Sequence, residues 1–172
     1  MSVNIIYKAT SLRQILIIMF IIFTKKKLRQ LRNLLQESGF YRIPLKKIKS
    51  GHYTFSAKIN TIPGIFIIDT GASSSCVGFN NNSYFNLKNE KSLVKAAGAG
   101  AINMKTEIAK NNSIAIGSWK ISHFDFVIFD LSHVNEALHQ VGETPIHGII
   151  GADFLKKNRA VIDYGRNCFY LK

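Results

Sequence analysis

The sequence predicts an all-β domain with one or two short helices, set behind an N-terminal helical extension. Three observations predict it. From about residue 41 onward, short apolar or alternating runs recur between Gly, Pro and Asn clusters, the pattern of strands joined by tight turns. In that part only residues 131–141, with apolar positions 131, 134, 138 and 141, and the short segment 153–158 read as helix. Residues 1–40 differ in kind: nine uninterrupted apolar residues, 15–23, run into three lysines and a leucine-bearing basic stretch.

Length and composition fit one domain of residues 41–172 plus an extension of residues 1–40. A hydrophobic content of 47% supports a packed core and excludes a disordered chain. The net charge of +13 is unevenly spread. Residues 1–50 carry 11 Lys/Arg against Glu37 alone, and the remainder carries 12 basic residues against 9 acidic ones. Nucleic acid, an anionic membrane surface or solubility each account for a basic segment. Because the C-terminal part is nearly balanced, no nucleic-acid partner is expected. Cys76 and Cys168 form no C-x-x-C pair and no zinc spacing, and read as two buried free thiols.

In chain order, the apolar run 15–23 spans only about 14 Å as a helix, against roughly 30 Å of bilayer hydrocarbon. Three assignments stay open for it: a membrane-associated or short spanning anchor, an atypical uncleaved signal, or a helix packed on the protein or a partner. Membrane association through residues 12–35 is one expectation; a spanning anchor would keep the rest of the chain cytoplasmic, by its basic flank. Leu28, Leu31, Leu34 and Leu35 continue the helical spacing, and Gly39 ends it. Residues 40–49, with Pro44, read as an edge strand. Residues 53–59 alternate, residues 60–64 read as a turn-rich link, and Ile65–Ile68 returns as a buried strand. Cys76-Val77 opens another strand. Residues 79–92, rich in Asn, Lys and Ser, read as a surface connection. Gly98, Ala99 and Gly100 read as a small-residue hairpin tip, either the low-bulk, φ-free tip that a mobile flap requires or an ordinary Gly-rich turn. A strand pair around Gly117-Ser118, the 131–141 helix ended by Gly142, a central strand at 146–150 and a final hairpin across Tyr164-Gly165-Arg166-Asn167 complete the chain.

The chemistry gathers at Ile65-Phe-Ile-Ile-Asp69-Thr70-Gly71-Ala72-Ser73-Ser74-Ser75. A bulky apolar strand delivers a carboxylate to a tight polar loop, and a carboxylate beside so much apolar surface is costly unless it is used. Asp-(Thr/Ser)-Gly alone turns up by chance in roughly one chain of this length in ten, so it decides little by itself. A second stretch adds weight: Ile146-His-Gly148-Ile149-Ile150-Gly151-Ala152-Asp153-Phe154-Leu155, two bulky residues and a Gly opening a short helix. Asp153 near that helix N-terminus reads as structural, placed to complement the dipole.

Together the two stretches resemble the retropepsin-like aspartic proteases, over about residues 43–172. That single-domain class includes retroviral and retrotransposon proteases and bacterial relatives. The resemblance implies a closed, barrel-like acid-protease fold and an aspartic endopeptidase without cofactor or metal. It implies Asp69, Thr70 and Gly71 as catalytic, with Ala72, Gly98, Ala99 and Gly100 touching the substrate and Ile149, Ile150 and Gly151 packing behind the loop. Thr70 would hydrogen-bond across a two-fold axis. Since only one Asp-Thr-Gly exists, a homodimer would supply the second carboxylate to cleave a polypeptide. The alternative is a catalytically inactive dimeric peptide-binding module of the same fold. The sequence departs from the retroviral pattern at both ends of one ion pair: Ala152-Asp153 stands for Arg-Asn, and Ser73-Ser74 follows Ala72 where an acid is usual. Losing both partners together is less damaging than losing one, and points to a bacterial or cellular branch.

Overall fold

The computed structural model describes residues 11–91, 96–98, 101–104 and 106–172. Residues up to Gly39 form one compact unit and Phe40–Lys172 a second. Among the described residues, the first contains helix α1 (Leu12–Glu37). Ser11 starts it with a capping box: its side chain accepts from Gln14 N–H while the Gln14 side chain accepts from Ser11 N–H. Gly39, at φ 83°, lies just beyond its end. Among the described residues no helix is long and apolar enough to cross a membrane.

The second unit is built from strands. In order these are β1 (Tyr41–Pro44), β2 (Lys46–Lys47), β3 (Tyr53–Ile59), β4 (Ile62–Ile68), β5 (Cys76–Gly78) and β6 (Asn89–Lys91). They continue with β7 (Ala96–Gly98), β8 (Ala101–Met104), β9 (Glu107–Ile116) and β10 (Trp119–Phe129). Helix α2 (Ser132–Gln140), β11 (Gly148–Ile150), helix α3 (Ala152–Lys157), β12 (Val161–Asp163) and β13 (Cys168–Leu171) complete it. Strands β3, β4, β11, β5, β10 and β9 pair in that order, and β9 pairs back onto β3, closing a six-stranded barrel. Strands β2 and β6 extend the barrel sheet, while β1, β13 and β12 form a separate three-stranded sheet. Strand β1 is an edge strand there, as its proline requires.

The core follows from period-two alternation. Phe55, Phe66, Ile68, Ile114, Phe126 and Ile150 are buried inward, and Phe154 and Trp119 close the packing edge to face, 5.5 Å between ring centres. Gly148 is fixed by close approach: a Cβ there would strike the Cys76 carbonyl and meet the Phe66 ring at 3.0 Å.

Two expectations are corrected. The turn-rich link of residues 60–64 shrinks to Asn60-Thr61, both at positive φ (48° and 74°), and β4 already begins at Ile62. Its early start is held by the full β3 register, from Ile59 opposite Ile62 to Tyr53 opposite Ile68. The surface connection of residues 79–92 is in part core: Phe85 and Leu87 are buried, and β6 pairs with β9. Polar neighbours masked both apolar residues in the sequence, and Phe85 packs against distant Phe66 and His147. Of the expected flap, Gly98 ends β7 opposite Ala101 of β8, while Ala99 and Gly100 lie outside the described residues.

Candidate active site

Strand β4 runs parallel to β11, Phe66 opposite Gly148 and Ile68 opposite Ile150. The ladder continues one bond further, from Asp69 N–H to the Ile150 carbonyl at 3.0 Å. Asp69 is thus carried to the barrel end on two hydrogen-bonded strands, half-exposed, with its loop turning away behind it. The Gly71 amide donates to Asp69 Oδ1 at 2.8 Å, and Ala72 N–H closes the turn on the Asp69 carbonyl at 3.3 Å. Thr70 and Gly71 are exposed.

The second motif clamps this loop from behind. The first amides of α3 have no partners within the helix. Ala152 N–H instead donates to the Ala72 carbonyl at 2.7 Å, and Asp153 N–H to the Ser73 carbonyl at 3.3 Å. Gly151 must lack a side chain: a Cβ would lie 2.7 Å from the Ala72 carbonyl oxygen and 2.8 Å from the Ser74 carbonyl. Bulky Ile149 and Ile150 continue β11 beside β4, Ile150 inside the core and Ile149 half-exposed on the outer face.

Ser75 and Asp153 form the fastening that sequence reasoning missed. Ser75 is fully buried, and its hydroxyl donates to Asp153 Oδ1 at 2.6 Å while accepting from Gly151 N–H at 3.0 Å. Its amide donates to both Asp153 oxygens, at 2.9 and 3.0 Å. Asp153 also accepts from its own helix, Phe154 N–H to Oδ1 at 2.6 Å. The structural role expected of Asp153 is present, and it ties two motifs as well as satisfying an amide in the first turn of its own helix. The departure from the retroviral pattern supplied the signal: an acid after Gly151-Ala152, and serines in the other loop.

Burial pushes the Cys76 thiol up to about 11; the Ile149 backbone pulls it down less strongly, and the charges of Asp153 and Asp69 add to the rise. Both cysteines are free and buried. His147 is held below the ordinary histidine value chiefly by burial. Its Nδ1 accepts from Ile65 N–H at 3.1 Å, and the ring packs against those of Tyr84 and Phe85. Among the described residues no group of three or more His, Cys, Asp or Glu side chains is placed to hold a metal. A cavity of about 640 Å³ lies between the end of β5, α2 and His147, and Asp69 does not line it.

A closed six-stranded barrel that ends in an Asp-Thr-Gly loop backed by Ile-Ile-Gly defines the retropepsin-like aspartic proteases. The family model described as aspartyl protease matches residues 55–154, more than half the chain and both motifs, and this chain belongs to that family. No curated protein matches it by sequence. Among solved structures it is similar to a retropepsin-like aspartic protease from Rickettsia conorii, at 20% identity and a TM-score of 0.53, covering 77% of this chain and 90% of that one. It is also similar to the EIAV protease complexed with the inhibitor HBY-793, at 18% identity and a TM-score of 0.48, over 65% of this chain and 92% of that one. A third is the retroviral protease-like domain of Ddi1 from Leishmania major, at 18% identity and a TM-score of 0.47, over 68% and 85%.

Proposed function

We propose that this chain is an aspartic endopeptidase acting as a homodimer, with residues 41–172 as the catalytic domain and Asp69 facing Asp69 of the partner subunit. The carrying observation is the presentation of that carboxylate. Asp69 is half-exposed at a strand end, with Oδ1 held by Gly71 and no hydrogen bond to Oδ2 among the described residues. One such loop per chain leaves a second copy to complete the pair.

Two adjacent carboxylates share one proton, because both cannot ionise at that separation. The pair then titrates as a unit. The ionised member takes a proton from a water held between them as its oxygen attacks the scissile carbonyl carbon. The protonated member gives its proton to the carbonyl oxygen. Collapse of the resulting gem-diol breaks the C–N bond, the nitrogen leaves with a proton from the dyad, and no acyl-enzyme forms. In this proposal Thr70 bonds across the axis, Gly71 keeps the loop tight and Ile149, Ile150 and Gly151 support it. Ala72 and the flap residues Gly98, Ala99 and Gly100 bind the peptide by main-chain bonds, as an added strand. Helix α1 associates the enzyme with a membrane surface.

The test is cleavage of a degenerate peptide library at acidic and neutral pH by the full chain and by Asp69→Asn. Cleavage by the natural sequence, abolished in the variant with an unchanged circular-dichroism spectrum, is expected. Unchanged cleavage by the variant refutes the assignment of Asp69, and a monomer in sedimentation equilibrium under the conditions of cleavage refutes the dimer.

A further inference from the structure

The join between helix and barrel domain is short and has no slack. Helix α1 ends at Glu37 and β1 begins at Tyr41, leaving Ser38, Gly39 and Phe40 between them. The first two belong to the helix end: Ser38 N–H donates to the Leu34 carbonyl and Gly39 N–H to the Gln36 carbonyl, each at 3.0 Å. Phe40 belongs to the domain, its ring 5.9 Å from the Arg159 guanidinium and 5.6 Å from the Lys172 ammonium. Tyr41 then enters the sheet opposite Leu171. Three residues reach at most about 10 Å even when fully extended, so the covalent join alone limits how far the domain travels from the end of α1.

The helix divides along its length. Up to Phe23 it exposes apolar side chains, Leu16, Met19, Phe20 and Phe23 among them. From Lys25 the sequence turns basic: residues 25–49 hold nine Lys/Arg against Glu37 alone. That run crosses the join, and Lys46, Lys47 and Lys49 are exposed on the domain. An apolar segment followed by a long basic one complements acyl chains followed by anionic headgroups. The same charge that would hold the helix to an anionic surface therefore continues onto the unit that carries Asp69.

We propose that the join sets the substrate class: polypeptides anchored in the same bilayer as α1, cut in an extended segment close to the headgroups. The inference rests on the proteolytic function and the membrane association proposed above. A compact domain of the length of Phe40–Lys172 is roughly 35 Å across. With about 10 Å of join, Asp69 works within on the order of 50 Å of the end of α1. Confinement to one surface raises the local concentration of an anchored substrate toward the millimolar range, as a short linker does, and a soluble peptide gains nothing from it.

The experiment uses the full chain on vesicles containing anionic lipid, with one cleavable peptide from the library presented in three ways. The peptide is free, or lipid-anchored through about five prolines, or lipid-anchored through about forty, semi-rigid spacers of about 16 and 120 Å. At equal bulk concentration the short-spaced peptide should be cleaved on the order of a hundredfold faster than the other two. Phe20→Asp combined with Phe23→Asp should release the chain from the vesicles and bring the three rates together, with cleavage of the free peptide unchanged. About forty Gly/Ser residues inserted after Gly39, a reach of about 35 Å, should leave vesicle binding intact and narrow the preference for the short spacer. Equal rates on all three presentations by the vesicle-bound natural sequence overturn the inference and leave the protease standing. Cleavage of the free peptide by a chain that binds no vesicle overturns it together with the membrane association. A natural sequence that cleaves the peptide in no form removes the proteolytic function and this substrate class together.

Discussion

Ser75→Ala deletes one oxygen at the point where both motifs meet. The hydroxyl is fully buried, donates to Asp153 Oδ1 at 2.6 Å and accepts from Gly151 N–H at 3.0 Å. A hydrogen bond to a charged group contributes about 1.5–3 kcal/mol, and a buried donor left without an acceptor costs about 1–3 kcal/mol. The two losses share one atom and Asp153 keeps the Ser75 amide, so they do not add in full. The expected destabilisation is about 2–4 kcal/mol, which lowers Tm by on the order of 10 °C in a domain of this size. Urea unfolding followed by circular dichroism measures it, with the m-value unchanged. Exposed Ser73 provides the control, since Ser73→Ala leaves its backbone bond to Asp153 intact and should fall within about 0.5 kcal/mol of the parent. A Ser75→Ala loss no larger than that control would show that the hydroxyl does not fasten the loop.

His147 gives a pH dependence with a defined sign. Its folded value lies below the ordinary one, so the unfolded chain takes up the proton first. The stability it contributes is present above about pH 6.5 and is lost as pH falls through the lower folded value. Protonation also puts an N–H against Ile65 N–H at the start of the β4–β11 ladder. His147→Asn, whose side-chain oxygen stands in for Nδ1 without titrating, should flatten the acid limb of a stability-versus-pH curve; an equally steep limb would discard the account. Helix α1 exposes apolar side chains, Leu12 at 77% and Phe23 at 65%, ahead of the lysines at 25–27. The full chain should co-sediment with vesicles containing anionic lipid and be released as salt rises toward 1 M. Failure to bind any vesicle would end the membrane assignment.

Much of the fold was legible because its signals are local. Alternation marks β3, the apolar run before Asp69 marks β4, and Gly117-Ser118 marks the β9–β10 hairpin. Each depends only on side-chain period and turn conformation within a few residues. The Asp69 loop and its partner motif were legible as a pair of motifs for a similar reason, since Gly151 sits where backbone must approach closely. Asn60-Thr61 was misplaced because two non-glycine residues at positive φ leave a weak mark in sequence.

What the sequence determined by itself is the kind of element along most of the chain and the two motifs that mark the family. Only the tertiary structure decided which elements meet: the parallel pairings of β4 with β11 and β5 with β10, the burial of Phe85, and α2 lying over Ile67. It also decided that Ser75 holds Asp153 across 78 positions of chain. A side chain's period is written in its neighbours, but its partner is set by closing a barrel, and the free energy of that closure belongs to contacts far apart in sequence.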